Sequence, residues 1–188
     1  MAAACGHIYG QTGGEDPHPF CPEPLEFVNI GQLGEHVDEL DRYLTVLGQE
    51  LREVPSLWTP NSRTTSYGFQ THGNLFSKGK ESIATLQQII EREIAAYRKR
   101  FDNRNCLFLD MWPKKSSNIH PSGWVSGVIY VELVESPDPD EGAIVFGQHR
   151  DFYPVINQDY PRLLHRPQRG EIVLFPSSLY HHTIPIRG

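Results

Sequence analysis

Two of the nine histidines stand in settings that suit chemistry. His120 lies in NIHPSGWVSGVIYV, at the entry to the longest β-rich run, and His181 lies in LFPSSLYHHTIP, just past another run and a Pro-Ser turn. They are 61 residues apart (181 − 120), but strands from opposite halves of an antiparallel barrel bring such positions to one mouth. Imidazoles converging there make a site for Fe(II), Zn or Mn. Two histidines and one carboxylate with open positions form the face used by non-haem iron oxygenases.

The elements that must carry these residues follow from periodicity. From Leu33 the apolar positions Leu33, Val37, Leu40, Leu44, Leu47 and Leu51 step by four and three, one stripe of an amphipathic helix. A second stripe, Ile83, Leu86, Ile90, Ile94, Tyr97 and Phe101, predicts another helix, and RKR at 98–100 suits its C-terminal dipole. Beyond Phe101 the texture changes to short β-rich runs: 106–112, 124–134, 143–147 and 171–176, separated by turn-rich stretches such as ESPDPDEG and HRPQRG. This predicts an α+β fold in which N-terminal helices buttress an antiparallel barrel or sandwich of jelly-roll type. Residues 1–24, rich in Pro and Gly, read as an irregular arm. Residues 25–188 read as a single domain, with a helical part at 25–105 and a β-barrel part at 106–188.

Composition narrows the function classes. Hydrophobic residues are 38% of the chain and, with 16 glycines, give the apolar content of a globular protein; 3 Trp, 8 Tyr and 9 Phe exclude a disordered one. The net charge of −6 argues against nucleic acid as a partner, since such binders need a cationic face. No apolar run approaches the roughly 20 residues that span a bilayer, so no membrane partner is expected. Cys5, Cys21 and Cys106 form no CxxC and fit a reducing, cytoplasmic setting. MAAACGHIYG lacks the basic flank and apolar core of a secretory signal.

The segments NIHPSGWVSGVIYV, DEGAIVFG, RGEIVLFPSSLYHHTIP and, more loosely, SYGFQTHGNLF resemble the 2-oxoglutarate/Fe(II)-dependent oxygenase family of bacteria and phages over roughly residues 58–188. Members carry HxHP…LSGVYY, a Gly-rich turn and strand, then FPSxLxHxxxP. The resemblance implies a double-stranded β-helix, a jelly-roll or cupin-like barrel, with Fe(II) at its open end and 2-oxoglutarate chelating the metal. It makes His120 and His181 the metal ligands. The chain departs from the pattern in three places. Asn118 stands where the first His of HxH is expected, and neither Asn118 nor Ser122 supplies a carboxylate two residues from His120. The chain also ends at Gly188, before the strand expected to bring an Arg to 2-oxoglutarate, so the barrel is expected to lack its last strand; Arg187 lies too near His181 for that role.

Asn118 and Asp151 are therefore the candidates for a third ligand, though Asn118 also suits an Asx turn and the Gln148, His149, Arg150, Asp151 cluster an ordinary surface loop. Ser126 and Tyr130 stand at even steps from His120, so an unbroken strand aims them into the barrel, where a hydroxyl can hold the co-substrate carboxylate. A buried tyrosine bonded to backbone is the alternative for Tyr130. His182 should point away from His181; His72 reads as structural, Glu141 as a turn carboxylate, Trp112 and Trp124 as core, and Cys106 as a small hydrophobe. The leading expectation is an oxygenase that hydroxylates a small-molecule or protein substrate, with a dimer compatible with the sequence. Two alternatives stay open: an inactive barrel serving as a binding module, and a cupin-like metalloprotein that does not use 2-oxoglutarate.

Overall fold

A single strand, EIVLFP at Glu171–Pro176, is buried along all six of its residues, and the architecture follows from that. The computed structural model describes residues 9, 12–15, 23–59, 68–71, 74–101, 125–147, 161–177 and 179–187. Among them are two α-helices, α1 (Leu40–Arg52) and α2 (Glu81–Phe101). The strands are β1 (Asn29–Gln32), β2 (Ser56–Thr59), β3 (Gly68–Thr71), β4 (Val125–Ile129), β5 (Ile144–Gly147), β6 (Arg162–His165), β7 (Glu171–Pro176) and β8 (Tyr180–Thr183). All pairings are antiparallel. One sheet has the order β1-β7-β4 and another β6-β5-β8, while β2 and β3 form a separate ribbon.

The two faces of β7 bury into different cores because side chains alternate along a strand. Ile172 and Leu174 pack with Leu44 and Leu47 of α1 and Ile83, Leu86, Ile89, Tyr97 and Phe101 of α2. Val173 and Phe175 pack with Ile144 and Phe146 of β5 and with Leu179. The result is three layers: helices, first sheet, second sheet. Phe146 and Phe175 meet edge to face across the sheets, with centroids 4.9 Å apart. The molecule is thus a mixture of helices with antiparallel sheets, as the sequence predicts at that level; a closed barrel is not present among the described residues.

Helix α2 buries Ile83, Leu86, Tyr97 and Phe101 of its expected stripe, with Ile89 buried beside the partly buried Ile90 and Ile94, and its N-terminus is capped when Glu50 accepts a hydrogen bond from the Ile83 amide at 3.2 Å. The first helix differs from expectation: Leu33–Glu35 form a 3-10 turn, and α1 begins only at Leu40. The cause is the sheet. The Leu33 amide donates to the Gly170 carbonyl at 2.8 Å, prolonging the β1–β7 pairing, so Leu33 is apolar because it is buried beside that ladder. The run at 124–134 also shortens to Val125–Ile129. Tyr130 still exchanges hydrogen bonds with Glu171 and Gly170; beyond it β7 offers no partner, and Leu133 and Val134 are exposed.

The turn before β7 needs its glycine. Gly170 has φ +88, and a Cβ there would lie 3.0 Å from Leu40 Cδ2. Arg169 beside it donates to the Val131 carbonyl at 3.1 Å and to Asp41 at 2.5 Å, tying this turn to α1. No helix among the described residues is long and apolar enough to cross a membrane.

Candidate functional site

The space between the two sheets has two polar ends and an apolar middle. At one end stands His181 on β8, in register with Phe146 of β5. Opposite residues of an antiparallel pair share a face, so His181 lies on the face that Phe146 buries. Its ring meets Phe175 edge to face at 4.6 Å and lies 6.4 Å from Phe146. The residue is nonetheless exposed to solvent. His181 Nδ1 lies 3.0 Å from the Leu179 carbonyl oxygen. A carbonyl has no proton to give, so Nδ1 carries the proton and donates. His182 pairs with Val145 on the opposite face.

Ser126 of β4 occupies the same end. Its hydroxyl lies 2.9 Å from that of Ser177, in the turn that leads from β7 to His181. Ser126 is in register with Phe175 and shares its face with Val128 and Tyr130. The even-step spacing read from the sequence thus places both Ser126 and Tyr130 on the side turned to the second sheet. They do not sit at the same depth. Four residues of strand, about 13 Å, separate them, and Tyr130 belongs to the far end. Its phenol is pushed up to about 12, first by burial and then by the Glu171 charge, so the hydroxyl keeps its proton and remains a donor.

Glu171 closes that far end. Only 4% exposed, its carboxylate accepts from Gln32 of β1 at 3.2 Å and from the Gln168 amide at 2.8 Å, and meets His165 Nε2 of β6 at 2.7 Å. One carboxylate therefore links the two sheets. Every lone-pair direction it uses has a donor, as a buried charge requires. Sequence reading missed this pair because HRPQRGE looks like a plain turn; the signal available was His165 standing two residues from the inward-facing Leu163.

The remaining candidates divide simply. His120, Asn118 and Asp151 lie outside the described residues, as do His72, Cys106, Trp112, Trp124, Gln148, His149 and Arg150. Glu141 sits in the turn before β5, where it accepts from Ser136 at 2.5 Å. Among the described residues no group of three or more His, Cys, Asp or Glu side chains is arranged to hold a metal. The donor chemistry of His181 nonetheless suits one: with Nδ1–H engaged by a carbonyl, the neutral ring presents Nε2 as its lone-pair nitrogen, the form that ligates iron. Sequence reading also passed over Phe175, Leu179 and Ser177, which hold this histidine's surroundings.

Comparison with known proteins adds one finding. Residues 111–188 match the family model described as "Putative 2OG-Fe(II) oxygenase". The matched stretch contains both HPSGWVSGV and FPSSLYHHTIP, and supports the family that these motifs resemble. No curated protein and no solved structure matches the chain.

Proposed function

We propose that the 2OG-Fe(II) oxygenase match of residues 111–188 reflects a working site, and that the chain is a non-haem Fe(II)/2-oxoglutarate-dependent oxygenase that hydroxylates a small-molecule or protein substrate. The observation that carries this reading is the match itself, which spans the two histidine motifs in one continuous stretch. In this reading the layered sheets are a double-stranded β-helix, His181 and His120 hold iron, and Asn118 or Asp151 completes the face. The geometry of His181 is favourable. β4 begins at the same end of the sheets, with Val125 paired to Pro176, and the chain that leads into it carries His120 five residues upstream.

When bound, Fe(II) with 2-oxoglutarate would supply the means of activating O2, the oxidant, to break a C–H bond. The protein's own groups do the rest. His181 offers Nε2 while the Leu179 carbonyl holds Nδ1–H. Ser126, paired with Ser177 at the same end, offers a hydroxyl to a co-substrate carboxylate, and Tyr130 offers a donor deeper between the sheets that stays protonated at neutral pH. Phe146, Phe175 and Leu179, all buried, exclude water from the space behind the histidine.

Anaerobic Fe(II) titration followed by aerobic assay for succinate tests the reading. Fe(II) binding and succinate formation are expected from the native chain, and both should vanish in His120→Ala and His181→Ala. A chain that binds neither iron nor 2-oxoglutarate is the inactive module, which the want of a carboxylate two residues from His120 would favour. A chain whose metal binding ignores 2-oxoglutarate is the cupin-like metalloprotein.

A further inference from the structure

We propose that Leu179 and Phe175 are positioning residues for His181: together they lock its imidazole as the Nδ1–H tautomer and leave Nε2 as the open lone pair. The purpose of the device rests on the proposed iron site, but the device itself stands on hydrogen bonding and packing. Nδ1 at 3.0 Å from a carbonyl oxygen is tolerable only if it bears the proton; the other neutral tautomer would set two lone pairs against each other.

The acceptor is itself immobile. Leu179 is 3% exposed, with its side chain in the core between the sheets. Its amide donates to the Pro176 carbonyl at 2.9 Å, closing the turn Pro176–Leu179. The Ser126–Ser177 hydroxyl contact ties the same turn to β4. Rotation of the ring about its own axis is opposed by Phe175, 1% exposed, whose ring meets the imidazole at 62° and backs onto Phe146. His182 provides an internal control. It is the next residue of the same strand, is exposed as His181 is, and its side chain makes no hydrogen bond among the described residues.

The test is two-bond proton–nitrogen correlation NMR of the full-length, metal-free chain with ¹⁵N-labelled histidine, under alkaline conditions in which imidazoles are neutral. His181→Gln and His182→Gln assign the signals. The expected result is a single Nδ1–H pattern for His181 and an averaged pattern for His182. An averaged or Nε2–H pattern at His181 overturns the proposal. Two folded variants then probe the holds. Leu179→Ala, which keeps the backbone carbonyl but frees it from its packing, and Phe175→Leu should each bring averaging to His181 and weaken Fe(II) binding about 10-fold, the lower end of what loss of an orienting partner costs in metal sites. An unchanged tautomer in both folded variants removes their positioning role. If the native tautomer is as expected yet Fe(II) does not bind, the iron reading falls while the positioning stands.

Discussion

Tyr130 and Tyr43 both hold their protons more tightly than an ordinary phenol, each pushed up to about 12 from 10.0. Burial is the larger cause for both, with Glu171 adding to it at Tyr130 and Glu50 at Tyr43. In the unfolded chain each ionises near 10, so the folded state binds the proton better. Their contribution to stability is therefore complete below pH 10 and disappears as pH rises through 12. Alkaline spectrophotometric titration should show a late-ionising tyrosine fraction that shrinks in Tyr130→Phe, and the stability of that variant should fall less steeply over this window. Glu171 sets a second expectation at this scale. Glu171→Ala leaves His165, Gln32 and the Gln168 amide without their acceptor, and urea unfolding should report a loss of about 3 kcal/mol, the range for breaking a buried pair. That Ser126 and Tyr130 share one face was legible from their even spacing. The Glu171–His165 contact was not, because it joins residues on two sheets and no periodicity within one strand encodes that meeting.

The elements show why some of the fold could be read and some could not. Helix α2 has a long stripe with a 3.6-residue period, while β5, though only four residues, and β7 declare themselves as unbroken apolar runs. β1, β2, β3, β6 and β8 are four residues each, too short for a period to declare itself. NIGQ and YHHT draw their strand character from the neighbours they pair with, β7 and β5. The misplaced start of α1 has the same origin, since the Leu33 amide serves β7. Turn chemistry makes a sharper prediction. Gly170→Ala should cost about 1–2 kcal/mol from left-handed backbone alone, with further loss as Leu40 is displaced from the helix layer, measured by the midpoint of urea unfolding. By contrast Arg52→Ala, which removes an exposed pair with Glu132, should change stability by less than about 1 kcal/mol.

For the molecule as a whole, the proposed iron site and the fold are expected to be thermodynamically linked. A ligand that binds only the folded state stabilises it by about 2.7 kcal/mol at one hundred times its dissociation constant. Anaerobic Fe(II) with 2-oxoglutarate should therefore raise the thermal midpoint of the native chain and leave that of His181→Ala unmoved. The oxygenase reading was legible because two separated motifs carry it, HPSGWVSGV and FPSSLYHHTIP, both inside the matched stretch. A third ligand for the proposed site was not legible, since Asn118 and Asp151 are alternatives that spacing alone does not rank.

Strand β7 has a dynamic consequence. Ile172 and Leu174 serve the helices, while Val173 and Phe175 serve the opposite sheet, so peeling away either flank strips apolar cover from the strand they share. Neither flank can open cheaply by itself, which makes the assembly a single cooperative unit. In deuterated water, a peptide spanning 171–176 should keep its amide protons longest, surrendering them only in events that dismantle the entire domain.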